Sequence, residues 1–184
     1  MIRVKNKTMT VDQIEQIYMK VKNADKSEVL SRILQLESSK KAIIFCNTKK
    51  TTEIVAKRLR INGYATEFLI GDLPQPKRLH IIDSFKAGKL SCLVATDVAA
   101  RGIDVNDLAM VINFDLPNEA ENYVHRIGRT ARAGKSGKAY TFCSEQDVYN
   151  LPAIERYLEK PMKVVESAQL GKLYRIPEAR GRYI

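Results

Sequence analysis

The chain has 184 residues, 45% hydrophobic and 28% charged, the balance of a globular domain long enough to bury one full core. No apolar run reaches the length of a membrane span, and the opening MIRVKNKTMT lacks the apolar stretch of a signal peptide. The formal net charge of +10, with no Trp, favours a polyanionic partner, nucleic acid ahead of a membrane surface, held through its backbone and not by base stacking.

The first patterned stretch reads two ways: Ile14, Ile17, Tyr18 and Val21 suit a helix, while Ile17, Met19 and Val21 suit a strand. A helical stripe follows at Val29, Leu30, Ile33 and Leu34, then a strand at Ala42–Cys46. Ile54, Val55 and Leu59 form a second helical stripe that Gly63 stops, and Thr66–Leu69 is a strand. Leu79, Ile82 and Phe85 form a third stripe ending at Gly88, before strands at Cys92–Ala95 and Met110–Phe114. Pro117-Asn118 followed by Glu121 reads as a capped helix start, and Ala139–Cys143 as a last strand. Beyond Pro161 the pattern fades into a basic tail, KLYRIPEARGRYI, either wrapped on the domain or reaching for nucleic acid. Cys46, Cys92 and Cys143 lie in or beside apolar runs at spacings that suit no zinc site, so buried reduced thiols and a cytoplasmic setting are expected, with no metal.

Continuous apolar strands alternating with amphipathic helices predict an α/β fold with a mainly parallel sheet covered on both faces. Ligands of such sheets bind beyond the carboxyl ends of the strands. Here those ends lead into Asn47-Thr48-Lys49, Ile70-Gly71-Asp72, Thr96-Asp97 and Asp115-Leu116-Pro117, so one edge of the domain reads as a binding edge.

Two runs carry the chemistry. In YVHRIGRTARAGKSG, Arg126, Arg129 and Arg132 recur every third residue beside His125. Positions three apart share a helix face, and guanidinium forks grip phosphate oxygens, so a phosphate between Arg126 and Arg129 is the expectation. A solvated basic helix end complementing the macrodipole is the competing reading. In ATDVAARGIDV, Thr96 and the amides after it suit a phosphate at a helix start, and Asp104 suits a ribose hydroxyl. The plain alternative makes Asp97 a cap and Asp104 a turn residue. Gly134-Lys135-Ser136 is no P-loop, because Gly128 is one residue too far away and the segment precedes a strand.

Together the runs resemble the C-terminal RecA-like lobe of bacterial DEAD-box ATP-dependent RNA helicases. AIIFCNTK is similar to that family's motif IV, GDLPQPKR with Phe85 and Gly88 to its Q-x-x-R element, ATDVAARGIDV to motif V, and HRIGRTAR to motif VI. Ile70 and Ala131 depart from the residues many members carry there. The resemblance resolves the first stretch as a strand and implies a RecA-like three-layer αβα sandwich over residues 13–160. An interlobe linker at 1–12 would precede it and a basic extension at 161–184 would follow.

It further implies the second lobe of an enzyme whose N-terminal lobe, lying outside this chain, holds most of ATP and its Mg2+. Arg126 and Arg129 would act as arginine fingers, with Arg129 the stronger candidate, and Asp104 would meet the ribose. His125 and Arg101 would couple the two lobes. Asn47, Thr48, Lys49, Gly71, Arg78, Thr96 and Gly102 would line RNA, mostly through sugar and phosphate. Partners of the RNA-degradosome type are a further implication. The competing class is a non-enzymatic RNA-binding or annealing module using the same basic edge, and a lobe acting on DNA is a third reading.

Overall fold

A computed structural model of the chain describes residues 14–37, 41–130, 137–158 and 164–166. Among these, seven strands form one parallel sheet in the order β3-β4-β2-β5-β6-β1-β7. The strands are β1 (Ile14–Lys20), β2 (Ala42–Phe45), β3 (Thr66–Leu69), β4 (Cys92–Ala95), β5 (Met110–Asn113), β6 (Gly137–Cys143) and β7 (Val164–Glu166). The helices are α1 (Lys26–Leu36), α2 (Lys49–Ile61), α3 (Gln75–Lys86), α4 (Asp97–Ala100), α5 (Ala120–Ile127) and α6 (Leu151–Leu158).

Alternation along the strands builds the layers. In β2, Ile44 joins the core under α1 and α2, while Ile43 and Phe45 face α3 and α4. The helical stripes read from sequence supply Val29, Leu30, Ile33, Leu34, Val55 and Leu59 to the first core and Ile82 and Phe85 to the second. A third cluster packs Tyr123, Val124 and Ile127 of α5 and Ile154 and Leu158 of α6 on Ile14 and Ala139. Each such side chain contributes about 1.5–3 kcal/mol when fully buried. The result is the expected αβα sandwich.

Glycines end α2 and α3 as their positions suggested. Gly63 and Gly88 take φ of +90° and +81°. Each closes its helix with paired bonds, Tyr64 N–H to Leu59 C=O at 2.9 Å and Lys89 N–H to Ser84 C=O at 2.9 Å. Two local expectations shift. The helix expected at Pro117-Asn118 begins at Ala120, after an extended Glu119 that makes no side-chain cap. Residues Val164–Glu166, inside the segment expected as an extension, pair with Tyr18–Lys20 and add a strand to the sheet. The first stretch is a strand because β6 offers it a seven-residue parallel ladder, Ile14↔Gly137 through Lys20↔Cys143.

Candidate functional site

Four strands end on one polar layer. β2 leads to Asn47, β4 to Asp97, β5 to Asp115 and β6 to Ser144, and α5 lowers Arg126 onto the first three from its last turn. Arg126 is only 1% exposed. Its Nε and Nη2 donate to the two carboxylate oxygens of Asp97, each at 2.7 Å. Nη1 donates to the Asp115 carbonyl and Nη2 also to Asn47 Oδ1, both at 2.7 Å. The guanidinium lies over the Phe45 ring, 5.3 Å from its centroid. In this structure the anion facing Arg126 is a carboxylate of the domain itself. The side chain is enclosed, and every guanidinium nitrogen donates within the domain.

Arg129 lies beyond the helix, whose last residue is Ile127 with Gly128 as cap, so the two arginines diverge. Arg129 Nη1 and Nη2 donate at 2.9 Å to the carbonyls of Ile103 and Ala100. It is half-buried against the loop that carries Asp104. Asp104 is 82% exposed at its side chain, 3.5 Å from Lys86 Nζ, and accepts a 2.7 Å bond from Asn106 Nδ2. It borders a groove of about 280 Å³ that Lys41, Phe85 and Lys86 also line. Arg101 and His125 are exposed. Arg132 lies outside the described residues.

The remaining residues expected on the edge do come together, with different duties. Thr48 is exposed and caps α2, its Oγ1 accepting from Thr51 N–H at 3.1 Å. Lys49 reaches Asp72 across the edge, and that hydrogen bond holds its ammonium above the usual lysine range. Gly71 meets α4, where an added Cβ would sit 3.7 Å from Val98 Cγ1. Arg78 Nη2 donates to the Ala99 carbonyl at 2.9 Å and ties α3 to α4. Thr96 is buried and caps α4, accepting from Ala99 N–H at 3.4 Å. Gly102, at φ +76°, turns the chain out of α4, a conformation that favours glycine. Both polar atoms of the Asn47 side chain are used inside the domain, Oδ1 by Arg126 and Nδ2 on the Leu116 carbonyl at 2.9 Å.

Lys26, which sequence reasoning did not single out, completes the layer with Asp115. Lys26, 3% exposed at the start of α1, donates to Asp115 Oδ1 at 2.9 Å. It lies over the Phe114 ring and 4.0 Å from Asp147. Asp115 Oδ2 accepts the Asn47 backbone N–H at 2.9 Å. Asp115 was legible as a strand-end residue, but nothing in its spacing named its partners. Beneath them, burial first and then the Asp115 carboxylate push the Cys46 thiol well up, leaving it protonated. No group of three His, Cys, Asp or Glu side chains among the described residues is placed to hold a metal ion.

Comparison with known proteins gives a consistent result. A family model described as "Helicase conserved C-terminal domain" matches residues 25–134. The chain is 45% identical over 172 residues to the DEAD-box ATP-dependent RNA helicase CshA of Geobacillus kaustophilus, covering 94% of this chain and 37% of that protein. The chain thus spans little more than a third of that relative's length. Among solved structures, the C-terminal domain of the DEAD-box protein Dbp5 superposes with a TM-score of 0.81 at 38% identity, covering 91% of this chain and 98% of that one. S. cerevisiae Dbp5 bound to RNA and ADP BeF3 matches with a TM-score of 0.81 at 36% identity, over 95% of this chain and 47% of that one.

Proposed function

This chain belongs to the helicase C-terminal domain family, as the C-terminal lobe of a DEAD-box RNA helicase, and from that premise we propose how its residues serve an ATP-dependent RNA-unwinding enzyme. The carrying observation is that α4 is contacted from two faces. The first is the strand-end edge with Thr48, Lys49 and Gly71, where Gly71 approaches Val98; the second holds Arg129, which donates to the carbonyls of Ala100 and of Ile103 beside Asp104. RNA runs along the first face, gripped through sugar and phosphate by Thr48, Lys49, Gly71 and Gly102, with weak sequence preference and strong salt dependence. Arg78 and Thr96 hold that face in shape by tying and capping α4.

The partner lobe holds ATP and Mg2+ and, when loaded, presents the phosphoryl group whose developing charge this lobe neutralises. Arg129 is the finger. It starts from the carbonyls of Ala100 and Ile103 and exchanges them for phosphate oxygens when the lobes close. Asp104, exposed beside the groove, accepts a ribose hydroxyl, and His125 and Arg101, both exposed, meet the partner lobe. Arg126 holds Asp97 and Asn47 so that both faces keep their shape.

A finger of this kind is worth about 10³–10⁵ in rate, or about 4–7 kcal/mol. Arg129→Ala in the two-lobed enzyme therefore removes RNA-stimulated phosphate release while ATP binding survives, and near-normal turnover in that variant would overturn the assignment. Mixing this chain with a separately produced N-terminal lobe restores RNA-stimulated ATP hydrolysis. RNA binding with no restored turnover would favour the non-enzymatic annealing module.

A further inference from the structure

We infer that Asp115 is a positioning residue, paired with Lys26, that locks the RNA-facing turn after β2 to the arginine of α5. This rests on the function proposed above.

The geometry is a closed ring of three residues. The Asp115 carboxylate accepts the Asn47 backbone N–H at 2.9 Å, and the Asp115 carbonyl accepts Arg126 Nη1 at 2.7 Å. Arg126 Nη2 closes the ring on Asn47 Oδ1, also at 2.7 Å. Asn47 directly precedes Thr48 and Lys49, so the ring sets where the start of α2 meets the edge. From the other end of the ring, Arg126 reaches Asp97 at the start of α4. Movement of either turn is thus felt by the other through hydrogen bonds alone.

Lys26 is the second part of the device. Its side chain is 4% exposed, and its shortest ion pair is to Asp115 Oδ1, at 2.9 Å, with Asp147 at 4.0 Å. A buried ion pair contributes little net stability against an apolar replacement, because desolvation offsets the Coulomb attraction. What it supplies is charge balance. Lys26 neutralises the carboxylate through one oxygen, and Oδ2 accepts the Asn47 amide.

Two double variants separate positioning from stability. Lys26→Met/Asp115→Asn and Lys26→Met/Asp115→Leu both remove the buried ion pair, but only the first keeps an oxygen for the Asn47 amide. They are compared with the parent in the two-lobed enzyme by KM for single-stranded RNA and kcat for ATP hydrolysis, with urea unfolding as a check on folding. In this chain they are compared by hydrogen exchange at the Asn47 amide. With the Asn variant, KM for RNA and exchange stay within about twofold of the parent. With the Leu variant, KM for RNA rises about tenfold and the Asn47 amide exchanges about tenfold faster, while kcat falls less than KM rises. Equal behaviour of the two double variants in both KM and exchange would overturn the positioning role. A parent enzyme with no RNA-stimulated ATP hydrolysis would overturn the proposed function, and the exchange comparison would still judge whether Asp115 fixes the turn.

Discussion

Replacing Arg126 by alanine should unfold this chain more readily than replacing Arg129, although both arginines stand in one motif. Arg126 donates four bonds of 2.7 Å, two of them to the Asp97 carboxylate. Removing it leaves Asp97, Asn47 Oδ1 and the Asp115 carbonyl without that donor and removes a cation over the Phe45 ring. Breaking a buried pair on one side costs about 3–5 kcal/mol, and the ring contact adds about 0.5–2 kcal/mol. Asp97 is 21% exposed at its side chain, so water recovers part of this. We therefore take about 3–4 kcal/mol, a fall in Tm of about 6–16 °C for a domain of this size. Arg129 gives up two bonds to neutral carbonyls from a half-exposed position, about 1–2 kcal/mol in all. Arg126→Lys falls between, because an ammonium keeps the charge but not the fork. Urea unfolding followed by circular dichroism measures all three, with m-values compared to confirm that the unfolding reaction is unchanged. If Arg126→Ala lies within about 1 kcal/mol of the parent, the enclosed arginine is not structural and the reasoning from its hydrogen bonds fails.

Three further outcomes are expected. Burial raises the Tyr18 hydroxyl to about 12, so the folded state keeps its proton longer than the unfolded chain does; stability holds below pH 10 and falls as pH rises toward 12. Between pH 9 and 11.5 this loss is about 2 kcal/mol, and Tyr18→Phe should remove it from urea midpoints taken at those two pH values; identical pH dependence would refute it. Cys46, Cys92 and Cys143 are all buried with thiols held above their usual range, so native protein at pH 8 should resist alkylation that modifies all three in urea. Lys49→Ala in the two-lobed enzyme should weaken RNA binding alike across sequences and reduce the salt slope by about one counterion, and an unchanged slope would remove Lys49 from the RNA face.

The layering was legible because strands and helices carry different apolar periods. Cys92–Ala95 is a continuous apolar run and Thr66–Leu69 one broken only by Glu67, and the structure keeps those boundaries. Gly63 and Gly88 announced helix ends because only a residue without Cβ takes their φ at no steric cost. Harder to read was the first stretch, whose pattern suits two periods until β6 supplies a pairing partner. Lys26 was not legible either. It stands 89 residues from Asp115, and nothing local distinguishes it from the solvated lysines around it.

The arginine run shows most clearly where sequence stops. By itself the sequence determined that permanently charged, fork-shaped donors recur beside a glycine turn, a pattern that predicts anionic partners. It also determined which motif family the run resembles. Which acceptor each arginine meets was decided only by tertiary structure. Spacing fixes direction only while a helix continues, and this helix ends at Ile127, between the two arginines. Arg126, still on α5, is lowered onto Asp97 and Asn47 at the ends of β4 and β2. Arg129, one turn later, rests on the carbonyls of Ala100 and Ile103. Those partners lie 26 to 79 residues away in the chain, and only the parallel sheet, by aligning its strand ends, brings them within hydrogen-bond reach.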